Sequence, residues 1–287
     1  MEIIRNLPFE EYRKRPGANS SILKLVDSSS LKRVRAELNG EVEHDTDATD
    51  FGDCFHALLL EGRIKYTIEP ETYPAPKDHE KVKKGAIKEG DPLPWNNGAG
   101  ICKQWAGQQG ELVILTKKEA ENLEAMVAAV HDCAELQPYL KGDCELSVFA
   151  ERQGFPVKAR IDLLPPSGPV IDFKKTRNAE PGAFVRQMLD LRYHMQAAWN
   201  IDVLKAAGIE RDEFWFVAVE DKAPFDVTIL KLKDQAISFL RVGRVKCRQA
   251  FQKLKNAHAE DHWPTYGAHH AEDHAKPWMM QELELTA

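Results

Sequence analysis

Apolar residues repeat every three or four positions in five segments of the chain, which is the spacing of one helix face. The predicted helices start after Asn19-Ser20-Ser21, at Thr49 or Asp50, after Thr116, near residue 182 and near residue 234; the last four stop at Gly62, about Leu136, Gly208 and about residue 257. Short polar side chains cap a first turn, and glycine ends a helix readily. The polar, acidic residues 39–49 predict a loop, and the Pro-, Gly- and Lys-rich residues 70–100 predict a long, mobile excursion.

Five shorter segments are strand-like, because β-branched and aromatic residues lie between turn residues. They cover about residues 144–151, 156–164, 169–175, 214–220 and 226–232. The order of helices, strand meander, helix, two strands and helix predicts an α/β fold with a central mixed β-sheet flanked by helices. We expect a single domain over residues 1–287, with its core at about 15–267 and a polar tail at 268–287.

The two turns of the meander define a strand register. A hairpin that turns at Gln153-Gly154 places Glu145 opposite Asp162. A second hairpin that turns at Ser167 places Asp162 opposite Asp172. Directly opposed residues have Cβ atoms about 4.5–5.5 Å apart. The sequence therefore predicts three carboxylates side by side.

Strand alternation adds a lysine to this row. Lys174 shares the face of Asp172, and Ile171 and Phe173 take the opposite, core-facing side. Opposed like charges are destabilising, so a cation is expected among them, and oxygen ligands suit Mg²⁺ or Mn²⁺. Such an ion activates water and polarises a phosphodiester, while Lys174 could orient the water or stabilise charge on the phosphate. The alternative is a solvated sheet face with no site.

Two helices carry further candidates. His56 lies one turn after Gly52, and a glycine inside a helix is tolerable where a backbone or a ligand must come close. His56 is thus a candidate metal ligand or a core histidine. Tyr193 and Gln196 share a helix face and could hold the lysine or a phosphate, or belong to an ordinary polar stripe.

Composition narrows the class of protein. Hydrophobic residues make up 43% and charged residues 29% of the chain, which is ordinary for a soluble globular protein. The five cysteines form no C-x-x-C pair, and no secretion signal or membrane span is evident, so we expect reduced thiols and a cytoplasmic location. A net charge of −6 disfavours a uniformly basic nucleic-acid binder but permits a nuclease with a local basic face.

Five motifs occur in the order found in one enzyme family. They are Gly52-x-x-x-His56, Glu145 in ELSVFAE, Asp162 in KARIDLL, Asp172-Phe173-Lys174 in VIDFKKT, and RYHMQAAW around Gln196, flanked by Ser20-Ser21-x-Leu23 and HWPTYG. Over about residues 15–267 the chain resembles the nuclease domain of exonuclease VIII (RecE) and related phage proteins, within the RecB-like PD-(D/E)xK nucleases. Trp199-Asn200 after Gln196 departs from the Gln-x-x-x-Tyr pattern of many RecB-like nucleases, which leaves no assigned role for Tyr193.

The resemblance implies a PD-(D/E)xK, restriction-endonuclease-like core and a Mg²⁺-dependent exonuclease acting on double-stranded DNA ends. Family members resect 5′ to 3′, leave 3′ single strands and work with a RecT-type single-strand annealing protein, and a trimeric or tetrameric ring is expected. The implied catalytic residues are Asp162, Asp172, Lys174, Glu145 and Gln196, and the implied metal ligands are His56, Asp162, Asp172 and Glu145.

Other functions stay open at this point. A structure-specific or endonucleolytic enzyme on the same scaffold would carry the same residues, and a non-catalytic DNA-binding recombination protein is the rival outside enzymes. A zinc hydrolase is disfavoured because C-x-x-C cysteine pairs are missing.

Phosphate contacts could come from two basic clusters. They are Lys77–Lys88 and the group Arg241, Arg244, Lys246 and Arg248. Trp95 and Trp105 could stack on a base or pack in a core.

Overall fold

A mixed six-stranded β-sheet forms the centre of the protein. The structure is a computed structural model that describes residues 1–42 and 47–266, with only the backbone described for residues 47–49. The strands of this sheet are β1 (Glu2–Ile4), β6 (Asp143–Arg152), β7 (Phe155–Leu164), β8 (Val170–Thr176), β9 (Glu213–Glu220) and β10 (Val227–Lys233), in that spatial order. Only β8 and β9 pair in parallel within it, so the predicted mixed sheet is confirmed. The predicted tail 268–287 lies outside the described residues.

Helices cover both faces of the sheet. In the described ranges they are α1 (Phe9–Lys14), α2 (Ser20–Ser28), α3 (Leu31–Leu38), α4 (Asp47–Glu61), α5 (Glu80–Lys83), α6 (Gly100–Gly107), α7 (Lys117–Asp132), α8 (Pro181–Asp190), α9 (Tyr193–Ala206) and α10 (Phe239–Glu260). Two small sheets pair β2 (Tyr66–Ile68) with β5 (Val113–Leu115) and β3 (Thr72–Pro74) with β4 (Pro92–Pro94). None of the described helices is long and apolar enough to cross a membrane.

Alternating side chains of the strands build two cores on opposite sides of the sheet. One core packs Phe214 and Phe216 against α2, α8, α9 and α10. The other packs Ile171 and Phe173 against α4 and α7. Strands β7 and β8 are therefore packed from both sides.

The predicted register is confirmed where it can be read. Cys144 pairs with Leu163 and Leu146 with Ile161, so Glu145 and Asp162 are at opposed positions. Leu163 pairs with Ile171, which sets Asp162 against Asp172. The first hairpin turns at two residues with positive φ, Gln153 at 53° and Gly154 at 73°, as a two-residue hairpin with the strand-matching twist requires.

Helix caps were predictable in two places. The Asn19 side chain accepts a hydrogen bond from the backbone N–H of Ile22 at the start of α2. Thr116 and Glu119 form a reciprocal capping box at the start of α7.

Four element boundaries differ from the sequence-based prediction. The long helix predicted at 182–207 is two helices, because Arg192 adopts a left-handed conformation (φ 55°) and its guanidinium binds Asp27. Helix α4 begins before Thr49, α7 ends at Asp132 and α10 begins later than residue 234. The spacing of hydrophobic residues alone does not indicate a left-handed residue between two helices or the exact position of a helix end.

The predicted excursion at residues 70–100 contains regular secondary structure. Strands β3 and β4 and helix α5 lie within it. Tyr73, Ala75, Leu93 and Cys102 form a small separate core there. Trp95 and Trp105 pack edge to face against each other with ring centroids 5.2 Å apart, which favours the packing role over the base-stacking role.

Helices α9 and α10 touch through a glycine. A Cβ placed on Gly243 would lie 2.0 Å from the backbone oxygen of His194, so no other residue fits unless the helices separate. This contact positions α9, which carries Gln196 into the candidate site.

We expect Gly243→Ala to lower the free energy of unfolding by about 2–3 kcal/mol, because overpacking a close backbone contact forces two helices apart. Chemical denaturation would measure this. Gly107→Ala is the matched control, because nothing lies within 4 Å of the added Cβ in α6. Equal stabilities of the two variants would show that the α9–α10 contact adapts freely.

Candidate active site

The candidate site lies where β7 and β8 separate. Between these strands, Leu163 pairs with Ile171. Beyond them, the Asp162 carboxylate accepts a hydrogen bond from the backbone N–H of Phe173 at 2.9 Å. A side chain thus takes the place of a strand carbonyl at this point.

Glu145 interrupts the neighbouring ladder. Its φ is 48°, a left-handed conformation that costs a residue other than glycine about 1–2 kcal/mol. Pairs on either side of it keep the same register, so the strand is locally twisted and no residue is inserted. This backbone conformation carries the Glu145 carboxylate towards His56 of α4, whose ring nitrogen Nδ1 lies 3.5 Å away.

His56 is oriented from behind by the sheet. Its Nε2 lies 3.1 Å from the backbone oxygen of Phe173, so a proton on Nε2 is donated to that carbonyl. Nδ1 then faces the carboxylates of Glu145 and Asp162, at 3.5 and 3.7 Å. Metal-binding histidines in proteins are held in this way, with one ring N–H donated to a carbonyl and the other nitrogen free for the ion.

The residues present fit a divalent metal ion. One ligand atom each of His56, Glu145 and Asp162 lies within 4.8 Å of the others. Burial and then the nearby charge of Asp172 raise the pKa of Asp162 to about 7, so its ionised form needs positive charge beside it. One nitrogen and two carboxylate oxygens match the ligands of Mg²⁺ and Mn²⁺.

The pKa of His56 is raised for the same reason, because the neighbouring carboxylates favour a positive charge on the ring. Burial alone would lower it, but the carboxylates of Asp162 and Glu145 outweigh burial and raise it to about 9. A proton on Nδ1 is therefore the group that satisfies these carboxylates in the protein alone. A bound cation would replace it there.

Asp172, Lys174 and Gln196 form a second group beside the first. The Gln196 amide Nε2 donates to Asp172 Oδ1 at 2.5 Å, and the Lys174 ammonium makes an ion pair with Asp172 Oδ2. Asp172 is 1% exposed. Burial would lower the pKa of Lys174, but Asp172 and then Asp162 raise it above its ordinary value, so the ammonium stays charged.

The predicted single row on one face of the sheet is incorrect in one respect. Phe173 packs in the core that contains Phe55 of α4, so its neighbours Asp172 and Lys174 point to the α9 side. His56 meets Glu145 and Asp162 from the α4 side. The break in alternation at the β7–β8 gap brings the two groups together, and the three-residue metal group in the described part of the chain does not include Asp172.

Arg160 is a site residue that the sequence-based prediction missed. Its Nε donates to Glu145 Oε2 at 2.5 Å, and its Nη1 donates to the backbone oxygen of Leu7 at 2.8 Å and to Ser147 Oγ at 3.1 Å. A signal was available, because Arg160 precedes Asp162 by two residues and strand alternation puts both on one face. Arg160 therefore sets the orientation of Glu145.

Tyr193 also belongs to the site, although its motif departs from the family pattern. The Lys174 ammonium lies 5.0 Å from its ring centroid, and the ring stacks on Phe216 at 5.6 Å. An aromatic face stabilises a cation held over it. Of the two predicted roles of Tyr193, holding the lysine or holding a phosphate, this contact fits the first.

A cleft of about 1360 Å³ opens over His56, Glu145, Asp162 and Gln196. Its far wall is the N-terminal segment, with Arg13, Lys14, Arg15 and the first turn of α2. The predicted basic cluster on α10 contributes less free charge, because Arg244 binds Asp202 and Asp234 and Lys246 binds Asp27. The basic residues that line the cleft come instead from the N-terminal segment, where Arg13 and Arg15 also have carboxylate partners, and from Arg63, Lys65, Lys158 and Arg160.

Comparison with known proteins supports the fold. Residues 19–274 match the family model described as a PDDEXK-like domain of unknown function (DUF3799). The structure is similar to a crystal structure, at 2.19 Å resolution, of a protein from Eubacterium rectale that is provisionally named an exonuclease. The two sequences are 16% identical, the match covers 96% of this chain and 95% of that chain, and the TM-score is 0.61. It also matches the crystal structure of SSO0001 at 11% identity, over 72% of this chain and 87% of that one. The TM-score of 0.30 is too low to show a shared fold. No curated protein matches the chain.

We expect Arg160→Leu to weaken Mn²⁺ binding by about 10- to 100-fold, because groups that orient a metal ligand have effects of this size. Isothermal titration calorimetry on the purified protein would measure it. Arg152→Leu is a matched control, since it removes a comparable arginine–carboxylate pair, with Asp202, away from the site. Wild-type affinity in a folded Arg160→Leu variant would exclude an orienting role for Arg160.

Proposed function

This chain belongs to the PDDEXK-like family DUF3799, and on that premise we propose that it is a divalent-metal-dependent nuclease that hydrolyses phosphodiester bonds of DNA. The observation that carries the proposal is the meeting of two groups at one cleft. His56, Glu145 and Asp162 converge on one point in the cleft lining, and Gln196, which also lines the cleft, binds the buried pair of Asp172 and Lys174.

His56, Glu145 and Asp162 would hold the metal ion, and Asp172 is close enough to Asp162 to affect its pKa. When bound, a divalent cation supplies Lewis acidity: it makes water a better nucleophile at neutral pH and withdraws charge from the phosphodiester. The protein supplies the orientation, because the carbonyl of Phe173 and the guanidinium of Arg160 hold two of the three ligands.

Lys174 acts as a fixed positive charge in this proposal. Its ammonium stays protonated, so it cannot take a proton from the attacking water. It can donate hydrogen bonds to that water or to a phosphate oxygen on which negative charge develops. Asp172 and the Tyr193 ring hold the ammonium, and Gln196 holds Asp172, so these residues position the lysine.

The finer assignment is an exonuclease on double-stranded DNA ends that resects 5′ to 3′ and leaves a 3′ single strand for recombination by strand annealing. It is supported by the motif resemblance to the RecE nuclease domain. A protein of similar structure carries the name of an exonuclease, at 16% identity. The RecT-type partner and the trimeric or tetrameric ring stay predictions from the same resemblance.

We expect Asp172→Ala and Lys174→Ala each to lower kcat by about 1000-fold or more, because the second removes a preorganised positive charge at the reacting phosphate and the first removes the carboxylate that holds that lysine. Initial rates on end-labelled linear duplex would measure this, with circular dichroism to confirm the fold. Lys175→Ala is the control, because the adjacent lysine makes its ion pair with Asp221 instead. Near-normal turnover in Lys174→Ala would remove this lysine from the reaction.

Metal and substrate form can be tested together. We expect cleavage of linear duplex with Mg²⁺ or Mn²⁺, none with Ca²⁺ or with excess chelator, and no cleavage of covalently closed circular DNA. The metal dependence follows from the oxygen-rich ligand set, and the resistance of closed circular DNA follows from the requirement for a DNA end. Efficient cutting of closed circles would favour the endonuclease alternative, and binding without any cleavage in Mn²⁺ would favour a non-catalytic DNA-binding protein.

A further inference from the structure

A second lysine lies close to Lys174 and has no role in the site described so far. Lys24 is in α2, one turn after Ser20, and α2 packs against α9 and α10. Its ammonium lies 5.5 Å from the ring centroid of Tyr193, and the Lys174 ammonium lies 5.0 Å from the same ring. Ser20, Ser21 and Ile22 line the cleft, so the first turn of α2, directly before Lys24, borders the space over the metal group.

The carboxylates around Lys24 are already engaged. Asp27, on the same helix, binds Arg192 at 2.7 Å and Lys246 at 3.0 Å. Asp172 binds Lys174. In the described ranges, no ion pair within 4 Å involves Lys24.

This position is unfavourable for a cation. Burial, and then the Lys174 ammonium, lower the pKa of Lys24 to about 8, and Arg192 adds to the effect. Asp172 offsets only part of it. A half-buried ammonium without a carboxylate partner lowers stability, and a polyanion that approaches the site would restore the balance.

We propose that Lys24 and Lys174 together form a binding site for a backbone phosphate of the DNA strand that is cut. This proposal rests on the proposed function and adds a residue from α2 to it. Lys174 would contact the reacting phosphate, and Lys24 would contact the same phosphate or its immediate neighbour. A lysine suits this task, because its compact ammonium binds phosphate oxygens without a fixed geometry.

A purely structural Lys24 would behave differently on substitution. If Lys24 served only to pack on Tyr193, then Lys24→Gln would lower the melting temperature and affect activity through the fold. If it binds phosphate, then Lys24→Gln removes a poorly solvated charge, so the melting temperature stays the same or rises while DNA binding weakens. Measuring the melting temperature and the DNA affinity of Lys24→Gln therefore distinguishes a packing role from a phosphate-binding role.

The test compares wild type with Lys24→Gln, Lys24→Arg and the control Lys253→Gln on the exposed side of α10. Fluorescence anisotropy of a labelled DNA duplex in Ca²⁺, over a salt series, gives affinity and its salt dependence. We expect Lys24→Gln to bind about tenfold more weakly at low salt and to lose about 0.9 from the slope of log K against log salt, the value for one phosphate contact. Lys24→Arg should restore most of both, and Lys253→Gln should match wild type.

Cleavage in Mn²⁺ completes the test. We expect at least a tenfold loss of kcat/KM in Lys24→Gln, with Mn²⁺ affinity by calorimetry unchanged. An unchanged slope and rate in Lys24→Gln, or a lower melting temperature that accounts for the loss, would overturn the role of Lys24 while wild-type cleavage still upholds the nuclease. A wild-type protein that neither binds nor cuts DNA would overturn both proposals.

Discussion

The site depends on the mutual repulsion of three carboxylates in a partly dehydrated gap of the sheet. Asp162 is the centre of this constraint, because Asp172 lies on one side and Glu145 on the other. Each carboxylate is held by a different partner: Arg160 binds Glu145, Lys174 binds Asp172, and the Phe173 N–H and the His56 ring face Asp162. The protein thus keeps the carboxylates close without full compensation, which is the condition under which a divalent cation binds tightly.

The two cores explain how such an arrangement stays in place. Helix α4 carries His56, and its Phe55 is packed in one core. Helix α9 carries Gln196, and its Met195 and Trp199 are packed in the other core. Both helices are thereby fixed against opposite faces of the sheet. Sites on rigid, packed elements hold their side chains more accurately than sites on loops. The unfavourable backbone at Glu145 and the close contact at Gly243 are tolerated within this frame.

The acidic net charge of −6 is consistent with a DNA substrate once the positions of the charges are known. Arg244 and Lys246 of α10 are neutralised by neighbouring carboxylates, whereas the basic N-terminal segment lines the cleft and two lysines lie against the Tyr193 ring beside the site. Local fields in a cleft, more than the overall sign, determine where a polyanion binds. Lys24 illustrates the difference, since its lowered pKa arises from burial and from a neighbouring lysine on a strand far away in sequence.

The sequence by itself determined five of the six strands of the central sheet, the register of β6, β7 and β8, and most of the candidate site residues. Period-two alternation and the turn at Gln153-Gly154 are local properties, so the opposition of Glu145, Asp162 and Asp172 could be worked out from numbering alone. The tertiary structure decided which side of the sheet each group faces, because the break in alternation at the β7–β8 gap depends on the Asp162 carboxylate binding the Phe173 N–H. It also decided the split between α8 and α9 and the recruitment of Arg160, Tyr193 and Lys24. These depend on contacts between residues far apart in the chain, and no periodicity along one segment records which distant side chains will meet.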